Sequence, residues 1–216
     1  AGGNSIFNNK RIKIMRWIFF LFVLLLAINT SHSQLKVAEI FTDNMVLQRD
    51  QPIKIWGSAP PQTEIVVSFL NINQSTVADI NGNWELEFER QLATSQPQKI
   101  RIKSLTQTIT LTNILIGDVW LLLGQSNMEW PVSGEMHFDK ELKDADNKQL
   151  RFYNPKYIGK NIYGKAYSQD QRKKLAGGEL FYDKKWEESD TSSFKAMSAI
   201  GYYFGKQIID KKGIPV

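Results

Sequence analysis

The sequence predicts an α/β fold over residues 117–216, a parallel sheet with flanking helices that stops early, preceded by a small antiparallel β-sandwich over residues 34–116. Three observations carry this reading. Residues 35–116 run as short strand after short strand, with turn residues between them and no helical period. Val119-Trp120-Leu121-Leu122-Leu123 is an unbroken apolar run, the pattern of a strand covered on both faces. Residues 194–212 then recover a helical period and lead into Ile214-Pro215-Val216, which gives the order strand, excursion, helix, strand.

The amino end has its own logic. Lys10, Arg11, Lys13 and Arg16 precede an apolar core at residues 17–28, and Ser31 and Ser33 flank His32, the three parts of a secretory signal. Residues 1–33 are therefore expected to be a signal peptide with upstream residues, cleaved after Ser33, and the protein exported to the periplasm or beyond. Met15 stands directly before Arg16 as an alternative start. The core is shorter than the ~20 residues a spanning helix needs, so no stable membrane span is expected after cleavage. The formal charge of +5 comes mostly from this leader, because removing it leaves 23 basic against 22 acidic residues. No basic patch remains to suggest a nucleic-acid partner.

In the β-rich region, strands are expected at residues 36–41, 53–56, 64–70, 75–80, 84–89, 98–104 and 107–116. Asn81-Gly82 between two of them reads as a hairpin turn, since both positions accept positive φ. Trp84, Leu86 and Phe88 alternate with Glu85, Glu87 and Glu89, so one face is buried and the other wet. Beyond residue 126, Leu150-Arg151-Phe152-Tyr153 reads as a second strand of the sheet and residues 155–185 as a long surface excursion. In the helix that follows, Met197, Ile200, Tyr203, Phe204 and Ile208 mark the apolar face. Ser192 or Ser193 is expected to cap its start, and Gly213 to end it. Small Ala199, Gly201 and Gly205 allow close approach to the sheet.

The candidate chemistry sits where the apolar run stops, at Gly124-Gln125-Ser126-Asn127. Ligand and catalytic groups of parallel sheets gather at the carboxyl ends of strands, and peptide N–H groups of the next turn can face an oxyanion. Ser126 is thus a candidate nucleophile, with Gln125 and Asn127 as candidate oxyanion or substrate neighbours. Ser-Asn after a glycine is also ordinary turn or helix-cap composition, so the local pattern leaves both readings open. A serine nucleophile needs a base. His137 is the one histidine after the leader, 11 residues past Ser126, but triad partners normally come from separate loops. Neither a metal site nor a phosphate loop is supported: there is no cysteine, the acids are scattered, and Gly177-Gly178 lacks a following Lys-Ser/Thr. No cofactor is expected.

Several dispersed motifs resemble the sialate O-acetylesterase family of the SGNH hydrolase superfamily. They are Phe41-Thr-Asp-Asn-Met-Val-Leu-Gln-Arg49, Ile53-Lys-Ile-Trp-Gly57, Gly117-Asp-Val-Trp120, Gly124-Gln-Ser-Asn-Met-Glu-Trp-Pro131, Ala145-Asp146-Asn147, Trp186, Ser198-Ala-Ile-Gly-Tyr-Tyr-Phe-Gly205 and Gly213-Ile-Pro-Val216. The resemblance implies an SGNH-type sheet and an esterase that removes O-acetyl groups from sugars such as acetylated sialic acids. It also implies Ser126 as the nucleophile, with its own N–H as one oxyanion donor. The superfamily's further oxyanion donors and its Asp-x-x-His pair match nothing in this sequence, and His137 matches no family motif. The expectation is a fragment with a nucleophile and no triad, inactive by itself. Two other readings stay open: a noncatalytic carbohydrate-binding or adhesion protein, and a xylan or other polysaccharide acetylesterase on the same scaffold.

Overall fold

A computed structural model of the chain describes residues 34–160 and 164–216, and residues 35–216 form one compact unit. The expected signal peptide lies outside the described residues. Eight strands occupy the first half: β1 (Lys36–Val37), β2 (Val46–Gln48), β3 (Ile53–Ser58), β4 (Glu64–Phe69), β5 (Ile72–Val77), β6 (Asn83–Phe88), β7 (Thr94–Lys103) and β8 (Thr108–Gly117). They build a three-stranded sheet, β1-β3-β6, and a five-stranded sheet, β2-β8-β7-β4-β5, that curls like half a barrel. Every pairing is antiparallel except β2 with β8, where Val46 lies beside Leu115 in parallel.

Period-two alternation is what joins the two sheets. Ile53, Ile55, Trp84 and Phe88 of the smaller sheet meet Ile65, Val67, Phe69, Ile100, Ile102, Ile114 and Ile116 of the larger in one buried cluster. Phe69 and Phe88 touch edge to face at 5.5 Å across it.

The strand placed at residues 36–41 ends at Val37, and two further expectations in this half are corrected. The strand placed at residues 75–80 runs three residues earlier, because the two-residue hairpin is Leu70-Asn71, both at positive φ (51° and 62°). Asn81-Gly82 does turn, with Gly82 at φ 82° and Asp79 accepting from the N–H groups of Asn81 and Asn83 at 2.8 Å each. It joins two sheets rather than two paired strands: β6 pairs with β3, which lets Trp84 and Phe88 reach the common core. The three-residue strand β2 carries too short a pattern to be foreseen.

The second half contains α1 (Ser126–Glu129), α2 (Phe138–Glu141), β9 (Asn147–Tyr153), β10 (Lys156–Tyr157), α3 (Gln169–Ala176), β11 (Phe181–Tyr182), β12 (Trp186–Ser189) and α4 (Ala199–Lys212). Its core is Val132, Ala145, Leu150, Phe152, Phe194, Met197, Ala199 and Tyr202. β9, foreseen in part, pairs antiparallel with the unforeseen β12. The excursion carries its own order: β10 pairs with β11, and Ser168 with Gln171 forms a reciprocal capping box on α3.

Helix α4 starts later than expected. Ser192 and Ser193 hydrogen-bond Asp190 instead, a 3-10 turn follows at Phe194–Ala196, and Ser198 caps α4 by accepting from the Gly201 N–H. Gly213 ends the helix in the left-handed region at φ 64°. The buried face is Ala199, Gly201, Tyr202 and Gly205, whereas Ile200 and Phe204 of the expected stripe are exposed. Close approach is real at two glycines: a Cβ on Gly201 would lie 2.8 Å from Leu122 Cδ1, and one on Gly205 2.6 Å from Leu150 Cδ1.

The apolar run at residues 119–123 is neither a strand nor covered on two faces. Leu121 is 82% and Leu123 75% exposed. A strand needs a ladder, and among the described residues no backbone partner flanks this run beyond Asp118, whose N–H donates to the Pro215 carbonyl at 2.9 Å. One side does lie on α4, where Trp120 meets Phe204 edge to face at 5.1 Å. Val216 aligns in parallel with Leu150: its N–H donates to the Gln149 carbonyl, and the Arg151 N–H donates back to its own.

Candidate active site

The stretch carrying Ser126 is held at both ends by residues distant in sequence. At its start, Arg49 binds the Asp118 carboxylate through Nε at 2.7 Å, the Arg49 N–H donates to the Gly117 carbonyl, and the Val119 N–H donates to Gln48 Oε1. Asp118, backed by Asp50, raises the Arg49 pKa further above its ordinary value. At its finish, the Ala199 N–H donates to the Trp130 carbonyl and the Val132 N–H to that of Met197, so the segment docks on the start of α4. Ser198 Oγ reaches Met128 Sδ at 3.6 Å, which fixes α1 to the same point.

Between these anchors the chain turns into a single helical turn with Ser126 first. Gln125 is its N-cap residue and makes no side-chain capping bond. Gly124 contributes by close approach rather than by positive φ, since a Cβ there would lie 2.9 Å from Met128 Cβ. Gln125, Ser126 and Asn127 are all exposed. Neither Ser126 Oγ nor the N–H groups of Ser126 and Asn127 have a hydrogen-bond partner among the described residues. A hydroxyl beside unpaired N–H groups at a helix start suits attack on a carbonyl whose oxygen those donors receive.

His137 is exposed and serves a different element. It precedes α2, where its carbonyl accepts from Lys140 and Glu141 and its own N–H donates to Glu135 Oε2 at 2.9 Å. No hydrogen bond joins it to Ser126. No group of three or more potential metal ligands exists among the described residues.

Two polar networks join distant elements, and neither is readable from the sequence. Behind α4, the buried Glu141 carboxylate accepts from Tyr202 Oη at 2.8 Å and from Lys206 Nζ at 2.6 Å. The Lys206 bond holds the Glu141 pKa below its ordinary value against burial, and burial together with Glu141 pushes the Tyr202 hydroxyl up to about 12. Burial and a hydrogen bond to Glu135 bring Tyr203 to about 12 as well. Where β8 meets β9, Asn113 links Asn44 to Glu188, and Glu188 pairs with the buried Arg151 at 2.7 Å. Burial lowers the Arg151 pKa and Glu188 opposes that shift, as a desolvated pair requires. These partners stand tens of residues apart with no local pattern connecting them; the only sequence hint is the i, i+4 spacing of Tyr202 and Lys206.

No protein-family model matches the chain. It is 25% identical to the sialate O-acetylesterase of Mus musculus over 190 residues, covering 82% of this chain and 34% of that protein. It is 24% identical to the Homo sapiens sialate O-acetylesterase over 194 residues, covering 84% and 35%. The chain thus spans about a third of the length of the curated relatives it matches. Among solved structures it resembles a carbohydrate acetylesterase from Xanthomonas citri, with TM-score 0.69 and 28% identity over 83% of this chain and 38% of that one.

Proposed function

We propose that this distant homologue of the sialate O-acetylesterases belongs to a carbohydrate O-acetylesterase that cleaves acetyl esters on sugars, foremost acetylated sialic acids, with Ser126 as nucleophile. The observation that carries the proposal is the exposed Ser126 hydroxyl at the start of α1, beside unpaired N–H groups, in a segment anchored at both ends. In this reading Ser126 Oγ bonds to the acetyl carbon as a general base takes its proton, and the Ser126 N–H receives the oxyanion. The sugar oxygen leaves with a proton, and water then releases acetate and restores the serine. Asn127 and Gln125 stand where they can contact the substrate. No cofactor enters the reaction.

The SGNH-type parallel sheet and export by the leader belong to the same proposal. The parallel alignment of Val216 with Leu150 and the Asp118–Pro215 bond support the sheet. The basic residues and apolar core ahead of Ser33 support export, and no described helix is long and apolar enough to cross a membrane.

The deciding assay uses the protein expressed from its own genomic reading frame on a chromogenic acetyl ester and on acetylated sialic acid. Ser126→Ala is expected to lower kcat/KM by at least ~10³, as loss of a nucleophile does. Equal activity of the two proteins would sink the assignment. The 216-residue chain alone is expected to show no Ser126-dependent turnover, because no described base touches Ser126 and an unassisted hydroxyl is a poor nucleophile. That same lack of a base favours the noncatalytic carbohydrate-binding reading should the genomic frame prove inactive. Preference for acetylated xylan over acetylated sialic acid would move the substrate to a polysaccharide.

A further inference from the structure

The β-rich half carries a second candidate binding site, built on none of the residues around Ser126. β5 is the outer strand of the five-stranded sheet and β6 the outer strand of the three-stranded one. Beside them opens a groove of about 500 Å³, within the size range of small-ligand sites. Trp56 of β3 lies on its rim. It alternates with the fully buried Ile55, so its indole faces outward, 45% exposed, and the edge-to-face contact with Phe41 at 4.6 Å holds it in place. Trp84 contributes to the wall, and its buried indole N–H has no acceptor, a demand that native proteins rarely leave unmet.

The polar lining consists of two carboxylates, the Thr76 hydroxyl and the Asn83 amide. Glu85 lies directly across the strand pair from Trp56 and has no partner among the described residues. Asp79 commits Oδ1 to the Asn81-Gly82 turn, while Oδ2 has only a 3.5 Å contact with the Asn83 side chain. The Thr76 hydroxyl is likewise unpartnered among the described residues. No Lys, Arg or His lines the groove. The Glu85 carboxylate and the outer oxygen of Asp79 repel an anion and accept from hydroxyl donors, and an exposed indole face attracts the weakly positive C–H face of a pyranose.

We propose that this groove binds a neutral pyranose unit of a glycan, stacked on Trp56 with its hydroxyls donating to Glu85 and Asp79. The assignment is independent of the esterase reading. A peptide adding a strand to the edge of β5 or β6 is the rival occupant, and it would be held through backbone groups rather than through Trp56.

The full chain is titrated with xylohexaose, cellohexaose, mannohexaose and 3′-sialyllactose, followed by tryptophan fluorescence and calorimetry. Saturable binding of at least one neutral hexamer is expected, weaker by about tenfold in Trp56→Ala, which corresponds to ~1.4 kcal/mol. Because Trp56 also packs on Phe41, Glu85→Gln is measured beside it; this change leaves that packing intact and is expected to weaken binding about threefold. Ser126→Ala is expected to bind as the parent does. Absence of saturable binding by all three neutral hexamers, unchanged affinity in both groove variants, or tighter binding of 3′-sialyllactose would overturn the proposal. Loss of binding in Ser126→Ala would also overturn it, by placing the sugar at the other site.

Discussion

Gly117 is the residue the candidate site can least exchange. A Cβ there would lie 2.0 Å from the Pro215 carbonyl oxygen, which is the acceptor for the Asp118 N–H. Gly117→Ala is expected to destabilise the fold by about 1–3 kcal/mol, seen as a lower urea midpoint; an unchanged midpoint would show that the contact yields without cost. Titration of single groups sets a second expectation. Glu141 is held below its ordinary pKa of 4.5, so the stability it contributes is complete above that value and is lost as pH falls through its folded pKa. Asp190, lowered to about 2 by the Ser193 and Ser192 N–H groups and the Ser192 hydroxyl, acts in the same direction between 3.8 and 2. Tyr202 and Tyr203 are raised from 10.0 to about 12, so their contribution is complete below pH 10 and fades as pH climbs to 12. Urea midpoints across pH 2–12 are expected to fall at both ends, with a shallower acid limb in Glu141→Gln. The turn at Ser126 was legible because Gly-Gln-Ser-Asn after an apolar run is a local pattern, whereas the Arg49–Asp118 pair joins positions 69 apart that no periodicity connects.

At the scale of elements, α4 depends on one hydroxyl for its start. Ser198→Ala is expected to cost about 1 kcal/mol by freeing the Gly201 N–H, and circular dichroism with thermal unfolding reads it. Ser192→Ala should leave the helix start in place and act only through Asp190. Equal loss of helix in the two variants would restore the earlier start that spacing alone suggested. The sequence located this helix and its glycine stop, because a 3.6-residue period and a left-handed glycine are local signals. It misplaced the beginning and the buried face, since Tyr202 turns inward to meet Phe194 and Glu141, both outside the helix. Most strands of the two-sheet core were legible for the same reason, β2 excepted, and their partners were not: alternation shows that a strand has a wet face without naming its neighbour.

Across the whole molecule, the largest departure from expectation is the apolar run at residues 119–123. Its composition is that of a covered strand, and yet only one side lies on α4, leaving Leu121 and Leu123 exposed together with Ile200 and Phe204 of the helix. Contiguous exposed apolar surface promotes association, so the 216-residue chain is expected to self-associate with rising concentration in sedimentation velocity. Leu121→Ser with Leu123→Ser should shift it toward monomer, and indifference to both changes would place the sticky surface elsewhere. Sequence patterning could say that this run is apolar enough to be buried; it could not say whether a ladder exists to bury it.

The contact between Gly117 and Pro215 also sets an order of assembly. The two-sheet core closes through pairings among residues 35–117, all available once that stretch has left the ribosome. The turn bearing Ser126 then has only its anchors at Arg49 and Gln48; its bond to Ser198, 70 positions beyond Met128, and the Asp118–Pro215 bond wait for later residues, a loop closure whose entropic cost precedes any reward. A nascent chain would therefore present a finished β-rich body, groove included, with its serine held at one end only.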